Sequence, residues 1–465
     1  MSLGLPDRLR RARERCEAAG QGHVLRWAGE LEPAALTRLL EQLEQLDLAR
    51  LSRLFETVRA PSASRALPEL APADLIEVGA GEQHRRRDHA ARAAGEAALS
   101  AGQVAAFVVA GGQGSRLGLQ GPKGRFPIGP LTQRSLFAFH AQRVLATSRR
   151  HGAAAPYYVM TSAANHADTQ AAFEEAGWFG LERSQVFFLL QGMLPAVDPQ
   201  GRLLLASRDS LCMSPDGHGG SLRALERSGA LADMERRGIR QVFYFQVDNP
   251  LAPVLDPVFI GHHLLGAAEM SSKVVAKTDA REKVGIVARV DGRAGVIEYS
   301  DLDPALAEQR DEQGRLRFRA GNIAIHVLDV AFIRRVLEQG LELPVHRADK
   351  IVACLDEQGR LVRPERPNAV KLELFVFDAL GHAARSVTQE VRREDEFAPV
   401  KNAEGADSPA TARAALVAQA KRWMAAAGLA VPAGPVEIGP LFALDADEFA
   451  ANLTHNSFGP VFDRS

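Results

Sequence analysis

From Gln103 onward, short apolar runs alternate with helical patterns, and this alternation constrains the fold more than any other feature of the chain. The runs are Val104–Ala110, Tyr157–Thr161, Val186–Leu190, Val242–Val247 and Lys273–Lys277. Between them, Arg134–Arg150, His166–Ala176, Ser221–Arg237 and Pro257–Ala268 carry apolar residues at helical spacing. A parallel strand pair needs a crossover long enough to be a helix, so this spacing predicts βαβ units and a mainly parallel sheet. Val284–Tyr299 reads instead as a hairpin turning at Asp291-Gly292, a pair suited to positive φ, which makes the sheet mixed. Ile323–Leu328 adds a strand and Ala331–Gln339 a helix.

The flanks read differently. Leu31–Val58 spaces Leu39, Leu40, Leu43, Leu46, Leu48 and Leu51 for one or two amphipathic helices. A Pro-containing stretch, Ala60–Ala73, interrupts them, and Glu82–Ala101 predicts another helix. Its run Arg85-Arg86-Arg87 is expected to be a solvated helix face. Beyond about residue 385 the pattern weakens to a helix, Pro409–Ala427, and a Pro/Gly-punctuated tail with β-like pieces. The expected organisation is a helical N-terminal region (1–100), an α/β domain (101–385) and a small C-terminal domain (386–465).

The first apolar run leads directly into Ala110-Gly111-Gly112-Gln113-Gly114-Ser115-Arg116-Leu117-Gly118, with Gly121-Pro122-Lys123-Gly124 just beyond. The end of a strand in an α/β sheet is where nucleotide phosphates bind, and glycines let backbone N–H groups approach an anion. A dinucleotide loop needs GxGxxG, whereas Gly112, Gly114 and Gly118 give GxGxxxG. A Walker A loop needs GxxxxGK[ST], and the chain contains no Gly-Lys pair. Six glycines with Arg116 and Lys123 suit a triphosphate whose pyrophosphate leaves as a charged group.

Composition narrows the partners. Lys and Arg total 56 against 57 Asp and Glu, a formal net charge of −1 that offers no basic balance for nucleic acid. Only eight of the basic residues are lysines. The three cysteines, Cys16, Cys212 and Cys354, are scattered without a CxxC pair, so neither a zinc site nor a disulfide framework is expected. No apolar run approaches the roughly 20 residues of a membrane-spanning helix, and the N-terminus lacks the apolar core of a secretory signal. A cytoplasmic protein is expected; oligomeric state is not legible.

The Gly-rich loop followed by Pro122-Lys123-Gly124 resembles the signature of the eukaryotic-type UTP:sugar-1-phosphate uridylyltransferases, most closely the UDP-N-acetylglucosamine pyrophosphorylases. Further motifs recur in the family's order: Gln191-Gly192-Met193-Leu194-Pro195, Pro215-Asp216-Gly217-His218-Gly219-Gly220, Val247-Asp248-Asn249, Val296-Ile297-Glu298-Tyr299-Ser300 and Ala320-Gly321-Asn322-Ile323. Lys371-Leu372-Glu373-Leu374-Phe375-Val376-Phe377-Asp378 and Arg393-Glu394-Asp395-Glu396-Phe397, with Lys401-Asn402 beyond, complete the set. The resemblance spans about 105 to 413. It implies a Rossmann-like, nucleotide-diphospho-sugar transferase type of sheet and catalysis by the 101–385 domain.

The same resemblance implies roles. A sugar-1-phosphate oxygen attacks the α-phosphorus of UTP and pyrophosphate leaves. The nucleophile is already anionic, so catalysis rests on positioning and charge neutralisation, and no Ser-His-Asp or Cys-His constellation is needed. Ala110, Gly111, Gly112 and Gly114 would hold the nucleotide, Arg116 and Lys123 its β,γ-phosphates, and Gln191 and Gly217 the uracil. Asp248, ending its strand, would hold Mg²⁺ bridging the phosphates. Glu298, Tyr299, Asn322 and His218 would contact the sugar, and Lys371 and Lys401 would grip the α-phosphoryl and sugar-phosphate oxygens. His218 departs from the Asn usual in the N-acetylglucosamine enzymes and matches the Gly-His-Gly of UDP-glucose and broad UDP-sugar pyrophosphorylases. N-acetylglucosamine-1-phosphate is the first expectation for the sugar and glucose-1-phosphate the second.

Overall fold

The computed structural model describes residues 4–59, 69–79, 81–340, 343–453 and 461–463. The chain divides into two compact units, one of Met1–Leu67, Gly192–Gly220 and Glu342–Val376, the other of Pro68–Gln191, Ser221–Leu341 and Phe377–Ser465.

The first unit begins with the helices Leu5–Ala18, Pro33–Gln45 and Leu48–Arg59. Pro33 sits at the first helical position, where its missing N–H costs nothing, and the Asp47 carboxylate accepts the Arg50 N–H (2.8 Å) to restart the chain as a separate helix. The Leu31–Val58 pattern is therefore two helices, and Leu5–Ala18 is one that periodicity had not marked. Leu39, Leu40, Leu43, Leu51, Leu54 and Phe55 bury against Val197, Leu203, Leu205, Leu211, Val370 and Leu372. Short helices are marginal alone, so these faces are stabilised by partners far along the chain. Polar side chains fix the same seam. Gln21 donates to the Gly201 carbonyl (2.9 Å) and accepts the Leu203 N–H (2.8 Å), and Gln42 accepts the Leu211 N–H (2.8 Å). Four small antiparallel ladders among the described residues complete the unit, including Met193–Pro195 with Met213–Pro215 and Val345–Lys350 with Ala369–Leu374.

The second unit is built on an eleven-stranded sheet. Its strands in chain order are β1 (Leu70–Pro72), β2 (Leu75–Ile76), β3 (Val104–Val109), β4 (Tyr157–Thr161), β5 (Val186–Leu190), β6 (Gln241–Gln246), β7 (Met270–Ala276), β8 (Ile286–Val290), β9 (Arg293–Ile297), β10 (Ala320–Asp329) and β11 (Ser386–Val391). Across the sheet they run β2-β11-β7-β10-β6-β3-β4-β5, with β8 joining β1, β9 and β10 to the side. Every pairing along the main path is parallel except the two flanking β10. The sheet is mixed and mainly parallel as expected. β1 falls inside the Pro-containing stretch that sequence alone left without structure; residues 60–68 of that stretch lie outside the described residues.

Most helices stand where the pattern put them. Leu136–His151 starts at Ser135, whose hydroxyl accepts the Ala138 N–H (3.2 Å). The single helix expected over Ser221–Arg237 is instead two, Ser221–Arg227 and Ala230–Arg236; Gly229 between them takes φ +78°, which breaks the ladder, and Ser228 Oγ accepts the Ala230 N–H (3.3 Å). Asp291 and Gly292 take φ of +49° and +80° at the tip of the β8–β9 hairpin, the geometry the turn pair predicts. Pro409–Ala426 is entered through a reciprocal Ser408–Thr411 cap, and Phe442, Phe449 and Phe462 pack with its Ala420 and Met424.

β3 lies between β6 and β4, all three parallel, with Val109 level with Gln246 and Met160. Loops leaving their carboxyl ends therefore emerge side by side, the position where open α/β sheets bind ligands.

Candidate functional site

The Gly-rich loop leaves β3 at Ala110 and is clamped from below by its carbonyls. Asn165 donates to the carbonyls of Ala110 (2.9 Å) and Gly112 (3.2 Å), and Ser162 Oγ donates to that of Gly111 (2.8 Å). Among the described residues no hydrogen bond engages the N–H of Gly111 or Gly112. A loop held by its carbonyls keeps its amides available to an anion. Gly111 is also a close approach: a Cβ there would sit 2.8 Å from Gln191 Oε1, so any side chain would push the amide aside. Gln191 is itself fixed by its N–H to the Thr161 carbonyl (2.7 Å) at the end of β4. Arg116 lies exposed on the turn Ser115–Leu117.

Lys123 and Asp248 meet at the next strand end. The Lys123 ammonium donates to Asp248 Oδ2 (3.3 Å) and to the Val400 carbonyl (3.2 Å), both side chains being 17% exposed. The Val400 N–H returns to the Asp248 carbonyl (2.9 Å), and Asn249 donates to the Glu396 carbonyl (2.7 Å) while accepting the Ala398 N–H (3.1 Å). The segment 393–401 is thus strapped to the end of β6. It carries Lys401 half exposed, with Nζ 3.9 Å from Asp407 and 5.8 Å from the Phe397 ring centroid. Beneath, buried His140 donates from Nε2 to the Val247 carbonyl (3.0 Å), and burial pushes its pKa down to about 3, keeping it neutral.

A third group forms where the hairpin meets β10. The Asn322 N–H donates to the Gly285 carbonyl (2.8 Å) and its side-chain oxygen accepts the Ala324 N–H (3.0 Å). A Cβ on Gly285 would sit 3.0 Å from Glu298 Oε1, so Glu298 and Asn322 flank the same glycine; Tyr299 beside them is 47% exposed.

The remaining predicted residues belong to the first unit. Gly217 takes φ +83°, and a Cβ there would lie 2.3 Å from the Leu374 carbonyl, so only glycine fits. His218 Nδ1 accepts the Val376 N–H (3.2 Å), leaving the ring proton on Nε2. Its ring stacks on Phe375 at 5.1 Å, and Phe375 stacks in turn on His346 at 4.4 Å. Burial, then the neighbouring His346, pushes the His218 pKa down to about 4. Lys371 pairs with Ala348 in the ladder leading to Phe375 and is half buried.

A family model described as UTP–glucose-1-phosphate uridylyltransferase matches residues 70–455. The chain belongs to that family. It is 42% identical over 438 residues to UDP-N-acetylhexosamine pyrophosphorylase-like protein 1 of Xenopus tropicalis, covering 90% of this chain and 84% of that one. It is 38% identical over 379 residues to UDP-N-acetylglucosamine pyrophosphorylase of Saccharomyces cerevisiae, covering 79% and 78%. The crystal structure of uridine diphosphate N-acetylglucosamine pyrophosphorylase from Trypanosoma brucei superposes with a TM-score of 0.84 at 28% identity, over 99% of this chain and 98% of that one.

Several supporting residues of this family member escaped the sequence reading. Ser162, Asn165 and His140 carry no motif, and their signal lies only in what they touch. Lys273 offered a clue, as a lysine opening one of the apolar runs. It is fully buried on β7, donating to Asp256 (2.7 Å) and Glu396 (2.6 Å). Arg86, by contrast, pairs with Glu82 on an exposed helix face, as its run predicted. No described helix is long and apolar enough to cross a membrane.

Proposed function

We propose that this chain transfers uridylyl from UTP to N-acetylglucosamine-1-phosphate, forming UDP-N-acetylglucosamine and pyrophosphate, in the cytoplasm and with Mg²⁺. The observation that carries the reading is the Lys123–Asp248 pair beside a carbonyl-clamped glycine loop at the carboxyl ends of β3 and β6. The names of the relatives support the sugar, and three buried free cysteines accord with a reducing compartment.

In this reading the sugar-phosphate oxygen forms a bond to the α-phosphorus as the bond to the β-phosphate bridging oxygen breaks, and that oxygen leaves with the pyrophosphate. The open amides of Gly111 and Gly112, with Ala110 and Gly114 shaping the loop, receive the triphosphate. Arg116 and Lys123 neutralise the departing pyrophosphate, Arg116 with a planar fork and Lys123 as a point charge. Gln191, held against Gly111, pairs with the imide edge of uracil, and Gly217 is assigned to the same base. Glu298, Tyr299, Asn322 and His218 recognise the sugar, His218 as a neutral Nε2–H donor. Lys371 and Lys401 bind the α-phosphoryl and sugar-phosphate oxygens.

Among the described residues no group of three His, Cys, Asp or Glu side chains gathers to hold a metal unaided. One part-buried carboxylate, Asp248, fits Mg²⁺, which takes one or two protein carboxylates and completes its shell with phosphate oxygens and water. When bound there the ion supplies charge neutralisation across the phosphates.

The test is purified protein with UTP, Mg²⁺ and a panel of N-acetylglucosamine-, glucose- and galactose-1-phosphate, followed by pyrophosphate release. Highest kcat/KM with the N-acetylated sugar is expected. Preference for glucose-1-phosphate would give His218 the deciding weight instead, and no release with any sugar would end the enzymatic reading.

A further inference from the structure

Away from the glycine loop, the second unit encloses a cavity of about 140 Å³ whose walls include Arg92, Arg143, Arg150, His151, Asp256 and Glu396. Carboxylates surround it, yet each is already engaged. Arg150 takes Asp445 (2.9 Å) and Glu448, while Lys273 takes Asp256 and Glu396. On the far side of Arg143, in a second, smaller cavity, Asp395 is held by Arg422 and Arg392, and Glu437 by Arg134 and the Leu131 and Thr132 amides. Arg143 is left over. Its Nη1 is buried with no hydrogen-bond partner, and its guanidinium lies 5.8 Å from the Phe139 ring centroid. Burial alone pushes its pKa down to about 10, with no carboxylate opposing. A guanidinium stays charged in proteins, and a buried, uncompensated charge is costly unless something binds it.

We propose that this cavity is a second oxyanion site, in which a phosphate group docks on Arg143 with Arg92 and Arg150 beside it. The unpartnered Arg143 fork, with Arg92 on the same cavity wall, matches phosphate, whose oxygens accept several forked hydrogen bonds at once, and Arg150 adds positive charge beside it while its own hydrogen bonds stay on Asp445 and Glu448. Lys273 donates to both Asp256 and Glu396 and so offsets one of the two negative charges beside the cavity, while the raised Glu396 carboxyl carries less of the other. Arg143 and Arg92 have no part in uridylyl transfer, so the site stands independently of that reading.

The probe is inorganic phosphate, titrated against protein carrying Arg116→Met, Lys123→Met, Lys371→Met and Lys401→Met so that the four cations assigned to the reaction contribute nothing, with sodium chloride at matched ionic strength as the reference. Melting temperature and isothermal titration calorimetry are the readouts. Phosphate should raise the melting temperature saturably above the chloride reference. Adding Arg143→Met should abolish the saturable binding, and adding Arg92→Gln, at the more exposed edge, should weaken it at least about tenfold. Without phosphate the Arg143→Met protein should melt no lower than its parent, because the substitution removes an unpaired buried charge. Phosphate binding that survives both substitutions, or no binding beyond the chloride reference, overturns the proposal. Should Arg143→Met fail to fold, the Arg92→Gln titration decides alone: unchanged affinity refutes the site.

Discussion

At the scale of single residues, two groups differ in what they need from the fold. Lys123 and Asp248 sit 3.3 Å apart, Asp248 just past the end of β6 and Lys123 on the loop that follows β3. Lys123→Met and Asp248→Asn should each lower kcat by about 10²–10³, the cost of removing one preorganised charge stabiliser, with melting temperatures near wild type. Wild-type turnover in either variant would remove that residue from its role. His140 and His263 act through protonation instead. Both are fully buried, and burial holds their pKa near 3 and near 4, below the roughly 6.5 of an unfolded histidine. Below pH 6.5 the unfolded chain therefore binds protons that the native state refuses, so stability is complete above that value and falls as the solution is acidified. At pH 5 each histidine should cost about 2 kcal/mol, visible as a lower denaturation midpoint than at pH 7.5. Phe at position 140 should flatten part of that slope.

At the scale of elements, the strap 393–401 is the device that brings Lys401 and the Val400 carbonyl to the end of β6. Besides Val400 on Asp248, it is pinned at three places. Arg393 donates to Glu282 (2.6 Å), Glu396 accepts from Lys273, and the Asn249 amide bridges the Glu396 carbonyl and the Ala398 N–H. Lys273 is the critical pin, because burial and the nearby Asp256 charge raise the Glu396 carboxyl to about 7 even with the ammonium pulling it down. Lys273→Met would leave two carboxylates facing each other in the interior, and should destabilise the protein by about 3–5 kcal/mol in chemical denaturation. Combining it with Asp256→Asn and Glu396→Gln should recover a large part of that loss. If the single variant is no less stable than wild type, the triad is not holding the strap.

At the scale of the whole molecule, the N-terminal helices are not an appendage. Their apolar faces bury against Val197–Leu211 and Val370–Leu372, and Gln21 and Gln42 satisfy backbone groups of that same stretch. Deleting residues 5–59 exposes a continuous apolar surface and strands buried polar groups. The truncated chain should lose cooperative thermal unfolding or aggregate, as read by circular dichroism and light scattering. A truncated protein that melts cooperatively at the wild-type temperature would mean these helices contribute no packing.

How much of this was legible follows from range. The sequence by itself determined what local chemistry controls: the main-sheet strands and most of the helices from Val104 to Gln339, the turn at Asp291-Gly292, the mixed sheet and the glycine loop with its two cations. These depend on neighbours a few residues apart, through alternation, helical period and the φ a turn requires. The eight motifs in register did more, marking the family and with it every candidate site residue. What only the tertiary structure decided lies across long separations. Asn165 clamps a loop more than 50 residues earlier, Lys273 joins Asp256 to Glu396, and β1 earns its place only by pairing with β8. The N-terminal helices find their core near residues 200 and 370. Arg143 shows the same limit from the other side. Its spacing reads as ordinary helix, and only the fold reveals that every carboxylate around it is already spoken for. Local pattern specifies which faces must be covered and which groups must be paired. Covering and pairing are settled by chain segments that the local pattern cannot see, because the free energy of burial depends on what arrives, whatever its distance in sequence.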